Sequence, residues 1–133
     1  MKKIIFMIFV ILFFFSCKER DQCGNDVDIS GVYENKFEEG ATNYLIIKND
    51  GTFEQKYKKG DTIKENKGKW RYNAERCKLK FDTLKVLHNV PYNDENSENI
   101  PRMGPVFRRN KILFYEDLPF EYDFVKIDKK IEE

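Results

Sequence analysis

The chain has 133 residues, 24 Lys and Arg against 23 Asp and Glu, and a formal net charge of +1. This length suits one domain with its own core and is too short for two comfortable ones. The two signs of charge are balanced and interleaved, which argues against a nucleic-acid partner because such a partner needs a net basic surface.

The first seventeen residues form a distinct segment. Lys2 and Lys3 precede an unbroken apolar run from Ile4 to Phe15, and Ser16 and Cys17 follow it. As a helix this run would extend only about 18 Å, too short for a hydrocarbon core roughly 30 Å thick. The pattern therefore indicates a secretion signal rather than a permanent span. Without residues 1–16, which hold two basic residues and no acid, the formal charge becomes −1.

The end of this segment, Phe14-Phe15-Ser16-Cys17, resembles the bacterial lipoprotein signal, in which a small residue and a required cysteine follow a short apolar stretch. Phe14 departs from the leucine usual in that family. The resemblance implies that residues 1–16 are removed and that Cys17 becomes the lipidated first residue, with stable anchoring by more than one acyl chain. Ordinary secretion and an unprocessed anchor are the alternatives.

The resemblance also implies a location in the bacterial cell envelope, anchored by lipid in the outer membrane. Residues 17–28 would then form a lipidated tether. Its charged stretch Lys18–Gln22 is similar to the one that follows the lipidated cysteine in surface-displayed lipoproteins, although an ordinary solvated linker has the same composition.

Two further cysteines remain once Cys17 is assigned to lipid. An even remainder in an oxidising compartment favours a disulfide between Cys23 and Cys77, and the loop it closes predicts a stabilisation of about 4 kcal/mol. Two free buried thiols are the alternative. A zinc site is not expected, because the chain has one histidine, His88, and no closely spaced cysteine pair.

Residues 29–128 alternate apolar and polar side chains between frequent turn signals, of which Asn49-Asp50-Gly51 is the strongest hairpin signal. Gly68 predicts a bulge or a tight bend. Pro91–Pro101 predicts an exposed loop, and residues 129–133 a charged tail. The expected strands are Gly31–Phe37, Asn43–Lys48, Thr52–Lys58, Thr62–Tyr72, Cys77–Asp82 with an extension through Leu84, Val86 and Leu87, Val106–Arg109, Ile112–Tyr115 and Phe120–Ile127.

A meander of short antiparallel strands must close or leave its edges exposed, so we expect an all-β, up-and-down barrel or half-barrel of about eight strands. Three aromatic-and-turn patterns within Ser30–Phe81 resemble the lipocalin-like small lipoproteins of bacteria. They are Gly31 with Tyr33, the turn Asp50–Phe53, and Gly68 with Trp70. The resemblance supports the fold more than the function.

The sequence offers little for catalysis, and we expect a non-enzyme. A nucleophile–histidine arrangement would need His88, and no nucleophile elbow accompanies it; a surface or hydrogen-bonded histidine is the simpler interpretation. The acidic stretch Asn93–Glu98 lacks the spacing and central glycine of a calcium-binding EF-hand loop. We therefore predict no metal site and no cofactor.

Aromatic residues on the strands leave two functions open. In a barrel they either line an apolar cup with polar handles or simply fill the core. The first case predicts a lipid-anchored protein that binds a small apolar or amphipathic ligand. The second predicts an anchored interaction module, such as an inhibitor or immunity lipoprotein, that binds an envelope protein with its loops. The inward set is Tyr33, Phe53, Tyr57, Trp70, Tyr72 and Phe81.

Overall fold

Short antiparallel strands account for the fold in this computed structural model, which describes residues 23–88, 104–114 and 122–130. Each strand pairs with the next, and the last pairs with the first, so the sheet is a closed barrel. The expected all-β meander barrel is confirmed. In chain order the strands are β1 Gly31–Glu34, β2 Ala41–Ile47, β3 Thr52–Lys59, β4 Thr62–Asn73, β5 Lys78–Phe81, β6 Val106–Arg108, β7 Lys111–Leu113 and β8 Phe124–Ile127.

Closure pairs β1 with β8, whereas Thr62–Lys69 of β4 pair with a strand on one side only, that of β3. The described ranges contain no α-helix. Within them, accordingly, no helix is long and apolar enough to cross a bilayer.

The turns have local causes in the sequence. Between β2 and β3, Asp50 Oδ1 accepts hydrogen bonds from the backbone N–H of Thr52 at 2.9 Å and from its hydroxyl at 2.6 Å, and Gly51 has φ +83°. The predicted hairpin is therefore present. Between β6 and β7, Arg109 and Asn110 both have positive φ, the backbone conformation of a tight two-residue hairpin.

Every second residue of the strands points into the barrel. Most of the apolar side chains among them form one cluster, which apolar residues outside the strands complete. The buried members of this cluster are Ile29, Tyr33, Leu45, Ile47, Phe53, Leu79, Leu84, Phe107, Ile112, Phe114, Tyr122 and Phe124.

Three local expectations differ from the structure. Of the bulge and the tight bend expected at Gly68, the bulge is excluded, because β3 and β4 pair in unbroken register with Gly68 opposite Phe53. A side chain there would collide with the Phe53 ring and with the polar atoms of Asp82 and Thr83, which explains the glycine. The first strand ends at Glu34, so Phe37 lies beyond it. The expected strand extension through Leu84, Val86 and Leu87 is wrong, since β5 ends at Phe81.

The barrel has two distinct ends. One end, which we call the tether end, is formed by residues 23–30, 48–51, 74–78, 108–111 and 126–130. Backbone hydrogen bonds connect these parts to one another and to the adjoining strands. Lys126 donates to the Asn110 carbonyl, Phe107 of β6 to that of Cys77, and Trp70 of β4 to that of Gly51. The opposite end, formed by residues 35–40, 58–62 and 82–88, we call the plugged end.

Candidate functional site

Residues 82–88, which we call the plug, follow the first half of β4. The backbone N–H of Asp82 donates to the Lys69 carbonyl at 3.2 Å, and beyond it the plug is held by side chains. Gln55 Nε2 donates to the Lys85 carbonyl at 2.7 Å, and Gln55 Oε1 accepts from the Lys85 N–H at 3.0 Å. Asn66 donates to the Thr83 carbonyl, and Lys64 Nζ donates to that of Leu87 at 3.0 Å. Polar side chains of β3 and β4 thus take the place of a neighbouring strand.

The plug fills the end of the barrel with apolar and aromatic side chains. Leu84 and Leu87 are buried, and His88 is buried beside them. His88 Nδ1 lies 3.0 Å from Asn43 Nδ2, and its ring lies between those of Phe37 and Tyr122, each with a centroid distance of 6.2 Å. His88 is therefore a hydrogen-bonded residue of the interior. Of the two simpler interpretations of its sequence position, a surface residue or a hydrogen-bonded one, the second is correct.

All six residues of the predicted inward set are buried or half-buried, and all but Tyr57 belong to the core cluster or pack against it. Tyr33, Phe53 and Tyr57 are buried. Trp70, Tyr72 and Phe81 are half-buried and pack against the core cluster. The Phe53 and Phe81 rings meet edge to face at 5.0 Å. The set is Tyr33, Phe53, Tyr57, Trp70, Tyr72 and Phe81.

Most polar groups of this set are bonded to the protein itself. The Tyr33 hydroxyl donates to the Ile29 carbonyl at 2.5 Å, and Trp70 Nε1 donates to that of Lys48 at 2.9 Å. The Tyr57 hydroxyl donates to a carboxylate oxygen of Glu38 at 2.8 Å. Groups used in this way are not free to orient a ligand inside the barrel.

Burial keeps two of these tyrosines neutral. It raises the pKa of Tyr57 to about 12, with a further contribution from the hydrogen bond to Glu38. Burial also raises the pKa of Tyr33 above its ordinary value, with the nearby negative charge of Asp28 adding to the shift. Neither phenol is poised to act as a base near neutral pH.

The carboxylates with shifted pKa values have structural partners. A hydrogen bond from Lys48 to Glu54, at 2.7 Å, lowers the pKa of Glu54 most, and Lys67 and Lys56 add to it. The backbone N–H of Lys69 lowers the pKa of Asp82. In the described part of the chain, no group of three or more His, Cys, Asp or Glu side chains could hold a metal ion.

A disulfide joins Cys23 to Cys77 with a Cα–Cα distance of 5.1 Å. It fastens the start of the domain to the turn before β5. The remaining sequence predictions fall on Cys17, residues 18–22 and the loop Pro91–Pro101, all of which lie outside the described residues.

The sequence did not predict an open depression of about 670 Å³ on the outer face of the barrel. Val125 at 42% and Phe37 at 36% exposure are its most accessible apolar side chains. The register places Val125 opposite both Glu34 and Lys111. The feature of the sequence that could have indicated this depression is the presence of apolar residues on both faces of β8. The lining comprises Glu34, Lys36, Phe37, Lys111, Asp123, Val125 and Ile127.

Comparison with known proteins gives no relative: no protein-family model, no curated protein and no solved structure matches this chain. Its function therefore has to be argued from the geometry of its own residues.

Proposed function

We propose that this chain is a lipid-anchored, non-catalytic β-barrel protein of the bacterial cell envelope that binds an envelope protein through its outer surface. An inhibitor or immunity lipoprotein acts in this way. The observation that carries the proposal is that side chains and the plug occupy the barrel interior, whereas apolar side chains lie exposed on the outside.

The filled interior argues against a function in which a small ligand binds among the inward aromatic residues of the barrel. A ligand inside the barrel would have to displace Leu84 and Leu87 together with the hydrogen bonds that Gln55 makes to Lys85. Each buried polar group left without a partner costs about 1–3 kcal/mol. The interior is thus better suited to stability than to exchange of a small molecule.

The outer depression supports an interaction surface. Phe37, Val125 and Ile127 give it an apolar floor, and charged side chains of both signs surround them. The ion pair of Lys36 and Glu34, at 3.3 Å, belongs to this rim. An apolar centre with a polar rim is the usual composition of a protein–protein interface.

A small apolar or amphipathic ligand on the outer face is the second candidate. The depression of about 670 Å³ has the volume of a small-molecule site. Such a ligand would lie against Val125 and Phe37 rather than among the six inward aromatic residues.

Site-specific photo-crosslinking distinguishes the two candidates. We would place a photoreactive residue at Val125 in the full chain, in its native cells, and as a control at Lys58, which is exposed at the plugged end. A discrete protein adduct at Val125, lost when Phe37→Ser is added, supports the proposal. An adduct with a small molecule supports the second candidate, and no adduct at Val125 contradicts both.

The fluorescence of Trp70, the only tryptophan, reports on the interior. A packed core predicts that a hydrophobic probe or a fatty acid causes no saturable change in its emission. A saturable change that Tyr57→Ala weakens without unfolding the protein would contradict a filled interior.

The anchor is tested separately at Cys17. Replacing Cys17 by Ser should abolish labelling with a fatty-acid analogue and release the protein from the membrane fraction or leave it unprocessed. Ser16→Ala, which retains a small residue, is the matched control and should still be labelled. Lipid labelling that persists in Cys17→Ser would contradict the anchor.

A further inference from the structure

Charge is distributed unequally between the two ends of the barrel. Among the described residues, the plugged end carries equal numbers of basic and acidic side chains, namely Lys36, Lys58, Lys59 and Lys85 against Glu38, Glu39, Asp61 and Asp82. Among the described residues, the tether end has a formal charge of +4, or +3 when Glu54, the ion-pair partner of Lys48 at 2.7 Å, is counted with it. Its basic residues are Lys48, Arg76, Lys78, Arg108, Arg109, Lys111, Lys126, Lys129 and Lys130, and its acidic residues are Asp26, Asp28, Asp50, Glu75 and Asp128.

The hairpin between β6 and β7 is the most basic part of this end. Its four residues, Arg108-Arg109-Asn110-Lys111, are all exposed. Arg109 has φ +50° and Asn110 has φ +60°, so the tight turn presents three cations at the tip of the barrel. An arginine in this conformation is uncommon, because side chains other than Gly, Asn and Asp rarely adopt it.

A second basic group lies where the chain leaves β8. Lys129 Nζ stands 4.4 Å from the centroid of the Tyr44 ring, and Lys130 lies beside it against the outer face of β2. Lys126 donates to the Asp28 carbonyl at 2.9 Å and approaches its carboxylate at 3.5 Å. That contact partly neutralises Lys126, and Asp28 is already included in the formal charge of this end.

The disulfide limits how far this basic end can move from a lipid at Cys17. Because Cys23 is joined to Cys77, only residues 18–22 separate the barrel from the lipidated position. Six steps of extended chain reach at most about 21 Å. A longer free tether would let any face of the barrel meet the membrane, but this one holds the tether end close to it.

We propose that the tether end docks onto the anionic phospholipid surface to which the protein is anchored. The inference rests on the proposed anchor at Cys17. Lipid phosphates attract clustered Lys and Arg within about one Debye length, roughly 8 Å at physiological salt. Docking in this orientation directs the plugged end away from the membrane.

Trp70 allows the docking to be measured. It is the only tryptophan, and it contacts the tether end: its backbone N–H donates to the Gly51 carbonyl at 2.9 Å and its indole N–H to the Lys48 carbonyl at 2.9 Å. Purified lipidated protein would be inserted into vesicles whose lipids carry a quencher at the headgroup. One set is pure phosphatidylcholine, and the other contains three parts in ten of phosphatidylglycerol.

We expect stronger quenching of Trp70 on the anionic vesicles, and we expect high salt to remove the difference. Arg109→Asn removes one charge and keeps a residue that tolerates positive φ, so the ratio of docked to undocked protein should fall about fivefold. Lys58→Asn removes the same charge at the plugged end and should leave the ratio unchanged. Equal unfolding midpoints would show that both variants remain folded.

Each result has a distinct meaning. Equal quenching on both vesicle types, or equal effects of Arg109→Asn and Lys58→Asn, would overturn the docking proposal while the protein still floats with the vesicles. Failure of the protein to float with either vesicle type would overturn the anchor, and the docking proposal with it.

Discussion

The carboxamide of Gln55 holds the backbone of Lys85 from both sides, donating to its carbonyl at 2.7 Å and accepting from its N–H at 3.0 Å. This is the hydrogen-bond pair that one strand offers the next, supplied here by a side chain. Asn66 adds a donor to the same Gln55 oxygen at 2.7 Å. The plug is therefore fastened to the barrel by specific polar contacts as well as by buried leucines.

Replacing Gln55 by Ala should destabilise the protein by about 1–3 kcal/mol, because three hydrogen-bonding groups lose their buried partner. Urea unfolding of the mature protein measures the change. Lys58→Ala, an exposed position on the same strand, is the control and should stay within about 0.5 kcal/mol of the parent. Equal stability of the two variants would mean that Gln55 does not fasten the plug.

Breaking the disulfide should cost about 4 kcal/mol, as expected for a closed loop of this length. Cys23→Ser is the better variant, because Cys23 is exposed whereas Cys77 is buried with φ +51°. The unfolding midpoint of the parent should fall on reduction to that of Cys23→Ser, and reductant should not affect the variant. Two free thiols in the unreduced parent would show that the bridge does not form.

Phe53 should behave as a core residue. It is fully buried and contacts Phe81, so Phe53→Ala should lower the free energy of unfolding by about 3–5 kcal/mol. Ile63→Ala removes a comparable apolar side chain that is 65% exposed, and it should change stability by less than about 0.5 kcal/mol. A small effect of Phe53→Ala would point to a cavity rather than a packed interior.

Alkaline pH should destabilise the protein through Tyr57. Its pKa is about 12 in the folded state against an ordinary value of 10, so the folded state retains the phenolic proton more strongly. The resulting stabilisation is complete below pH 10 and is lost as the pH rises from 10 to 12.

Tyr57→Phe should flatten this pH dependence while losing the hydrogen bond to Glu38. Part of the dependence should persist, because burial also raises the pKa of Tyr33. The measurement is the free energy of unfolding at several pH values up to 12, with Tyr44→Phe on the outer face as control. An unchanged slope in Tyr57→Phe would contradict the assignment.

Much of the fold could be predicted because its causes are local. Alternation with period two identified Tyr33, Phe53 and Tyr57 as inward residues, since successive side chains of a strand point to opposite faces. The turn at Asp50 and Gly51 was predictable from residues that bond their own backbone or accept positive φ. The pairing of Cys23 with Cys77 was predicted from the two cysteines that remain once Cys17 is assigned to lipid, together with an oxidising compartment.

The tertiary structure decided how the remaining segments are used. Leu84 and Leu87 suit a strand as well as a plug, and only the polar groups of Gln55 and Asn66, distant in sequence, select the plug. The exposed floor around Val125 and the basic tether end likewise exist only because closure of the barrel brings distant segments together. Periodicity shows which residues share a face of one strand. Register and closure, which depend on contacts between strands, decide what each face meets.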